Sequence, residues 1–339
     1  MSHIISVSRR TDIPAYYTPW FMNRVRAGFC LVPNPYDLTR VTRVSLLPED
    51  VQCLAFWTRN PSPLLHHIDE LEDRGLPFFF QVTLTGYLPP LEKLPAPCAT
   101  ALGAAAPANL PGTQISRDAT DSGTGLAHPP ARDAVHAIRR LGDRIGPARV
   151  VWRYDPIVLS DLTPEHWHLH NFGQLCQALE GSVHHVVSSF VEPYPAVRER
   201  FRRLNAHGAN ISLPGEHAKR ELIEALADIA AQHGLALQTC CTPATADTHG
   251  MPCIGPAMIH AATGLMPADM RDPNQRQNCR CLPSIDIGVY ATCPRGCIYC
   301  YANNTPSTQI AHATQHDPTS PSLMPIMHSV DTATHKEPM

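Results

Sequence analysis

Seven short apolar runs, separated by helical patterns, constrain the fold of this chain more than any other feature. Most of the runs are almost continuously apolar and lack strict alternation, which is typical of parallel strands buried on both faces. Strand and helix patterns that alternate at this spacing predict an α/β fold. Seven strands favour a partial or complete (β/α) TIM-like barrel over a small open sheet. The runs are Ile4–Val7, Leu54–Trp57, Phe78–Thr83, Arg149–Tyr154, His184–Phe190, Leu235–Thr239 and Ile285–Tyr290.

The predicted domain organisation is a single barrel domain over residues 1–311, with a cysteine-rich segment at 240–303. The chain has 339 residues, of which 43% are hydrophobic, enough for a sizeable core. Residues 88–131 hold eight prolines among small and polar residues, which indicates a solvated insertion. Residues 312–339 are polar and contain proline, so we expect a disordered tail. Helices are predicted at Ser62–Asp73, Asp133–Ile145 and Glu216–Gln232, and from Thr163-Pro164 onwards.

The sequence lacks the motifs that would indicate several common classes of protein. No apolar run reaches the roughly 18 residues of a membrane span, and the start of the chain lacks a secretory pattern, so we expect a cytoplasmic protein. Phosphate-binding Gly-rich loops, the His-Glu-x-x-His motif and the Gly-x-Ser-x-Gly motif are missing. The formal net charge of -3 shows no overall excess of basic residues that would indicate nucleic-acid binding.

The cysteines carry the strongest chemical signal. Eight of the 12 lie between Cys240 and Cys300, and in a reducing compartment such clusters indicate metal ligands or redox groups. Cys293, Cys297 and Cys300 follow the spacing C-x3-C-x2-C. Three thiolates in one loop can hold three irons of a [4Fe–4S] cluster and leave the fourth iron open. Zinc is the rival metal, although it usually binds four ligands in paired C-x2–4-C motifs.

This triplet resembles the radical S-adenosylmethionine (radical SAM) signature, C-x3-C-x-aromatic-C, with Tyr299 at the aromatic position. The resemblance implies a [4Fe–4S] cluster, SAM bound with its adenine against Tyr299, and a 5′-deoxyadenosyl radical that abstracts hydrogen from an unknown substrate. It also implies a reductant such as flavodoxin or ferredoxin. A strand pattern precedes the triplet and a short helix candidate follows it, as in that superfamily.

The position of the triplet departs from the superfamily, in which it follows the first strand. Only 39 residues follow Cys300, too few for a barrel. We therefore expect a circularly permuted partial barrel, with the strand at 285–290 beside the strand at 4–7. The chain also resembles a bacterial family of unknown function, through Ser8–Ala15, Phe56–Pro61, Leu84–Tyr87, Trp152–Pro156 and Cys279–Asn303.

Two alternatives stay open. The cysteines could hold zinc or a structural Fe–S cluster in a non-catalytic binding protein. The sequence Tyr299-Cys300-Tyr301 resembles the spore photoproduct lyase branch, which would imply a nucleic-acid lesion repair lyase. Near-neutral charge disfavours tight duplex binding without excluding nucleic acid. A small-molecule substrate and no membrane partner are the remaining expectations.

A second cysteine group precedes the triplet. Cys240, Cys253, Cys279 and Cys281 could ligate an auxiliary Fe–S cluster or zinc, with four reduced thiols as the alternative. Cys241 is interpreted as a bystander because neighbouring side chains diverge. The isolated Cys30, Cys53, Cys98 and Cys176 are interpreted as incidental thiols.

Charged residues follow several of the predicted strands, where (β/α) barrels place their chemistry. The candidates for catalysis are Arg10, Asp12, Arg153 and Asp155, and those for cofactor binding are Tyr299, Arg9, Arg59 and Glu192. An arginine could bind the SAM carboxylate or a substrate anion, and a carboxylate could hold ribose hydroxyls. His166, His168 and His170 are expected on a solvated helix face. The arginines at 198, 200, 202 and 203 are expected on a charged amphipathic helix.

Overall fold

A computed structural model describes residues 2–88, 91, 129–268, 270–276, 278–303 and 316–325. Its centre is a parallel seven-stranded sheet flanked by helices, so the predicted α/β class is confirmed. The described strands are β1 (His3–Val7), β2 (Phe29–Asn34), β3 (Asp37–Ser45), β4 (Val51–Thr58), β5 (Phe78–Thr83), β6 (Val150–Ile157), β7 (His185–Phe190), β8 (Ala236–Thr239) and β9 (Ile285–Asp286).

The order of strands in the sheet is β8-β7-β6-β5-β4-β1-β9. Each of the seven predicted runs supplies one strand. The last strand lies beside the first as predicted, with Ile5 opposite Ile285 and Ser6 opposite Asp286. It is shorter than predicted because the Asp286 carboxylate accepts the N–H of Gly288 and turns the chain. The described strands β8 and β9 form two open edges, so these strands do not close into a barrel.

The described α-helices connect the strands. They are α1 (Ile13–Tyr16), α2 (Thr18–Ala27), α3 (Ser62–Leu65), α4 (Ile68–Asp73), α5 (Pro129–Ile145), α6 (Glu165–Leu179), α7 (Pro195–Asn205), α8 (Glu216–Gln232) and α9 (Pro256–Thr263). The helix predicted over residues 62–73 is divided into two at His66 and His67. Among the described residues, no helix combines the length and apolarity that a bilayer span requires.

The two faces of the sheet differ, because successive side chains of a strand point to opposite sides. One face carries large side chains such as Phe56, Phe80 and Trp152, which belong to the main hydrophobic core together with residues of α2, α5, α6 and α8. The opposite face carries Phe79 and Val151 among smaller residues such as Ala55, and it packs against α9 and the cysteine-rich segment. We call this second side the inner face.

The sequence analysis missed an antiparallel hairpin, in which β2 pairs with β3. The prediction of a disordered tail is wrong for residues 316–325. Leu31 N–H donates to the Pro321 carbonyl, the Trp20 indole N–H donates to the Ser320 carbonyl, and Leu323 is buried. Apolar and hydrogen-bonding contacts with α2 and β2 therefore hold this segment. The rest of the predicted tail and most of the predicted insertion at 88–131 lie outside the described residues.

Candidate functional site

The carboxylate of Asp286 joins the ends of β1 and β9. It accepts hydrogen bonds from the Ser6 hydroxyl (2.8 Å), the Ser8 hydroxyl (2.5 Å) and the backbone N–H groups of Arg9 (2.8 Å) and Gly288 (3.0 Å). The Arg9 and Arg10 guanidinium groups lie 4.0 and 3.9 Å from its oxygens. The sequence analysis missed this residue, although a carboxylate inside an apolar strand is a signal of its own.

Gly288 lets the chain after β9 pass directly over β1. A Cβ at this position would lie 2.7 Å from the Ser8 Cβ and would overlap the Ser8 hydroxyl, so no larger residue fits without displacing backbone. The Tyr17 hydroxyl donates to the Thr292 carbonyl (2.5 Å) and fixes the next part of the segment. These contacts deliver the cysteine loop to the carboxyl-terminal edge of the sheet.

The predicted ligands Cys293, Cys297 and Cys300 lie in this loop. Cys297 is close enough to both other thiols to contribute to raising their pKa values. Burial, as the main cause, raises the pKa of Cys293 to about 12 and that of Cys300 to about 11. Backbone N–H groups oppose this effect: those of Arg295 and Asp12 at Cys293, and those of Ala302 and Asn303 at Cys300. Residues 301 and 302 form a turn, and the residues directly after Asn303, where the short helix predicted after the triplet would continue, lie outside the described residues.

Arg200 of α7 holds the cysteine loop from outside. Its side chain donates to the carbonyls of Ile298 (2.6 Å), Asn303 (3.1 Å) and Cys300. Burial lowers the pKa of Arg200, since part of its hydration is lost. Arg200 thus lies on the predicted charged helix, but its side chain contacts the cysteine loop. The signal for this contact was its place beside the buried Val197 and Phe201 on the helix.

Three predicted site residues meet next to the loop. The Arg59 guanidinium donates to the Tyr299 hydroxyl (2.7 Å) and to Thr85 Oγ1 (3.1 Å). Asp12 accepts the backbone N–H of Arg59 at 2.8 Å and also that of Ala15, at the start of α1. Burial raises the pKa of Asp12, and these hydrogen bonds oppose the shift.

Arg153 and Asp155 form a pair on the inner face, with 2.5 Å between guanidinium and carboxylate. Arg153 also donates to Gln81 Oε1 and to Cys253 Sγ, both at 3.1 Å. The Trp57 ring is flanked by two cations, with the guanidinium carbons of Arg153 and Arg9 at 5.0 and 5.7 Å from its centre. The predicted residues Arg9, after β1, and Arg153, in β6, are therefore connected through Trp57 of β4.

Five cysteines pack in one hydrophobic cluster on the inner face, each close enough to two others to shift their pKa values, and we call them the thiol ring. In order around it are Cys240, Cys253, Cys281, Cys279 and Cys241. The four predicted members of this group are thus brought together. The expectation that the side chains of Cys240 and Cys241 diverge is wrong. The backbone of Cys241 has a φ of 53°, which turns its sulfur to within 3.8 Å of that of Cys240.

Charged groups surround the thiol ring. Hydrogen bonds from Cys240 and Cys281, assisted by the Arg153 guanidinium, lower the pKa of Cys253 well below its usual range. Arg276 lies beside Cys240 and Cys241, whose charges contribute to raising the Arg276 pKa. Glu192, a predicted cofactor-binding residue, pairs with Arg276 at 3.2 Å.

The remaining described thiols and His168 lie in the interior, whereas His166 and His170 are exposed on their helix as predicted. Cys30, Cys53 and Cys176 are buried among apolar residues, and burial raises the pKa of each to about 12. Cys98 lies outside the described residues. His168 is fully buried and lies 2.8 Å from the Tyr154 hydroxyl through Nδ1, so the expected solvated position is wrong for this histidine.

Within the described ranges, no group of three or more His, Cys, Asp and Glu side chains is arranged to hold a metal ion. No curated protein gives a significant match to the chain. A family model described as a domain of unknown function, DUF1848, matches residues 4–105 and 118–302, which together make up most of the sequence. The chain therefore belongs to the DUF1848 family.

Proposed function

We propose that this protein is a radical SAM enzyme in which Cys293, Cys297 and Cys300 hold a [4Fe–4S] cluster that binds SAM. The observation that carries the proposal is the position of the cysteine loop. It follows β9 and lies beside the end of β1, at the carboxyl-terminal edge of a parallel sheet. Ligand sites of α/β enzymes concentrate at this edge.

The proposed fold is a circularly permuted partial (β/α) barrel. Its support is the parallel seven-stranded sheet, with large apolar side chains towards the helices and polar groups such as Gln81 and Arg153 on the inner face. In this proposal β9 takes the place of the first strand of an unpermuted barrel, although it comes last in the chain.

The donor set of the loop suits an iron–sulfur cluster. Thiolates are the usual protein ligands of such clusters, and three of them leave one iron free for the amino and carboxylate groups of SAM. The N–H groups at Cys293 and Cys300 would stabilise the thiolates, as hydrogen bonds to cluster sulfurs do. The chemistry supplied by the bound pair is one-electron cleavage of SAM to methionine and a 5′-deoxyadenosyl radical.

Tyr299 and Arg59 would form the adenine side of the site. The hydrogen bond between them fixes the phenol, and Asp12 fixes the backbone of Arg59. Asp12 is therefore a positioning residue in this proposal. Arg9, held beside Asp286, would supply positive charge for a carboxylate. Glu192 is paired with Arg276 near the thiol ring, so the arrangement favours Arg9 and Arg59 as cofactor-binding residues.

Arg153, Asp155 and Arg10 would act on the substrate. The Asp155 carboxylate accepts a hydrogen bond from Ser189 and pairs with Arg153, which orients it at the end of β6. Arg10 lies over the Tyr290 ring, with its guanidinium carbon 5.2 Å from the ring centre. A polar or anionic substrate fits these groups better than an apolar one.

The test is anaerobic reconstitution with iron and sulfide, followed by assays of iron, acid-labile sulfide and SAM cleavage under a strong reductant. We expect 5′-deoxyadenosine from the wild-type chain and none from Cys293→Ala, Cys297→Ala or Cys300→Ala. Cys53→Ser, at a buried thiol outside the loop, is the control and should keep the activity. A fully loaded cluster without SAM cleavage, or zinc without iron, would overturn the proposal.

A further inference from the structure

The thiol ring calls for a functional explanation, because cysteines that only fill space in a core need not lie next to one another. Its five members come from three separate segments: one follows β8, one precedes α9 and one precedes β9. Other buried cysteines, such as Cys30 and Cys176, lie in the main core, outside the ring. The fold thus brings nearly half of the cysteines to one place.

The surroundings of the ring suit anionic sulfur. The Arg153 guanidinium, almost fully buried, donates to Cys253 Sγ at 3.1 Å. The backbone N–H of Ile254 donates to Cys281 Sγ at 3.5 Å, and the N–H of Cys281 is directed at the sulfur of Cys279. A buried cation and N–H groups directed at sulfur are a costly environment for neutral thiols and a favourable one for thiolates.

We propose that the thiol ring holds a second iron–sulfur cluster, separate from the cluster proposed at Cys293, Cys297 and Cys300. Cys253, Cys279 and Cys281, whose sulfurs accept N–H groups, supply three ligands. The Cys240–Cys241 pair supplies the fourth.

A cluster fits the ring better than a single ion. A zinc site needs its four sulfurs to surround one point at about 2.3 Å. A cluster instead binds each thiolate to a different iron, so its ligands lie around a larger body. Each thiol of the ring has two thiol neighbours as hydrogen-bond partners rather than all the others, as expected of ligands around a larger body. Only one sulfur of the Cys240–Cys241 pair, whose sulfurs are 3.8 Å apart, is needed as the fourth ligand.

Arg9 has contacts with both the thiol ring and the cysteine loop. Its guanidinium is close enough to Cys281, Cys253 and Tyr301 for their charges to contribute to raising the Arg9 pKa. The Tyr301 hydroxyl also donates to the Arg9 carbonyl at 2.9 Å. Arg9 therefore contacts both groups of cysteines. The support for a second cluster comes from the thiol ring and its neighbours and does not depend on SAM chemistry.

The experiment removes the loop ligands first. The variant with Cys293, Cys297 and Cys300 all changed to Ala is reconstituted anaerobically, and its iron, sulfide and zinc are measured together with the electron paramagnetic resonance spectrum after reduction. We expect about four irons and four sulfides per chain to remain. Adding Cys253→Ser or Cys281→Ser should remove them, whereas Cys53→Ser, from the same hydrophobic layer, should not.

A folded triple variant that binds no iron, or binds zinc instead, overturns the proposal. So does iron that persists after Cys253→Ser and Cys281→Ser. If the triple variant does not fold by circular dichroism, the same two substitutions in the otherwise wild-type chain decide: iron should fall to about half, and unchanged iron refutes the second cluster. SAM cleavage is not a readout here, so this proposal and the proposed function can fail independently.

Discussion

The substitution Asp286→Ala tests whether one carboxylate joins the two ends of the chain at the site. Asp286 is nearly buried and accepts two hydroxyl groups and the backbone N–H groups of Arg9 and Gly288. The hydroxyl groups can rotate to other partners, but the two N–H groups cannot. Each unsatisfied buried donor costs roughly 1–3 kcal/mol. We therefore expect the free energy of unfolding to fall by about 4 kcal/mol.

Urea unfolding of the metal-free protein, followed by far-UV circular dichroism, gives this quantity. Asp286→Asn should lose about half as much, because its amide oxygen still accepts hydrogen bonds. Asp73→Ala, at an exposed aspartate at the end of α4, should leave the midpoint unchanged. A loss below about 1 kcal/mol for Asp286→Ala would refute the reasoning, since the donors would then have found other partners.

Three further predictions concern pH, packing and the cysteine loop. Burial lowers the pKa of His168 to about 4, whereas the unfolded chain takes up the proton near pH 6.5. The free energy of unfolding should fall by about 3 kcal/mol more between pH 6.5 and 4 in the wild type than in His168→Gln, and equal slopes would contradict this. Gly288→Ala should cost roughly 1–3 kcal/mol by overpacking, while Gly173→Ala, which has room, should not lower the melting temperature. Arg200→Leu should weaken iron retention on the order of 10-fold, with the exposed Arg202→Leu as the control; equal retention in both would count against the role of Arg200.

The sequence predicted the sheet well because buried parallel strands are apolar on both faces. All seven runs became strands, and even the pairing of β9 with β1 followed from the position of the cysteine triplet. The hairpin of β2 and β3 was missed although residues 37–45 show a β-branched, alternating pattern. The strands were predicted from nearly continuous apolar runs, and this alternating pattern is not such a run.

The sequence predicted several residues that the structure brings together at the candidate site, but not the residues that support them. Arg59, Asp12 and Tyr299 meet as a group, yet the residues that hold the loop, Asp286 and Arg200, were not identified. Both residues contact partners that are distant in the sequence, and local sequence patterns do not reveal such contacts. The proximity of the Cys241 sulfur to that of Cys240 was not predicted, because the left-handed backbone of a non-glycine residue cannot be read from the sequence.

The pairing of β1 with β9 has a consequence for the biosynthesis of the protein. Ser6 and Asp286, which meet there, are 280 residues apart. At a translation rate of about 5–20 residues per second, β9 is synthesised roughly 15–60 s after β1, and this edge of β1 has no partner strand during that time. Until then it is an unprotected strand edge, open to pairing with other chains. The cysteine loop follows β9, so the proposed cluster could be inserted only after β1 to β9 had been synthesised, and a chain truncated before β9 would expose this edge permanently.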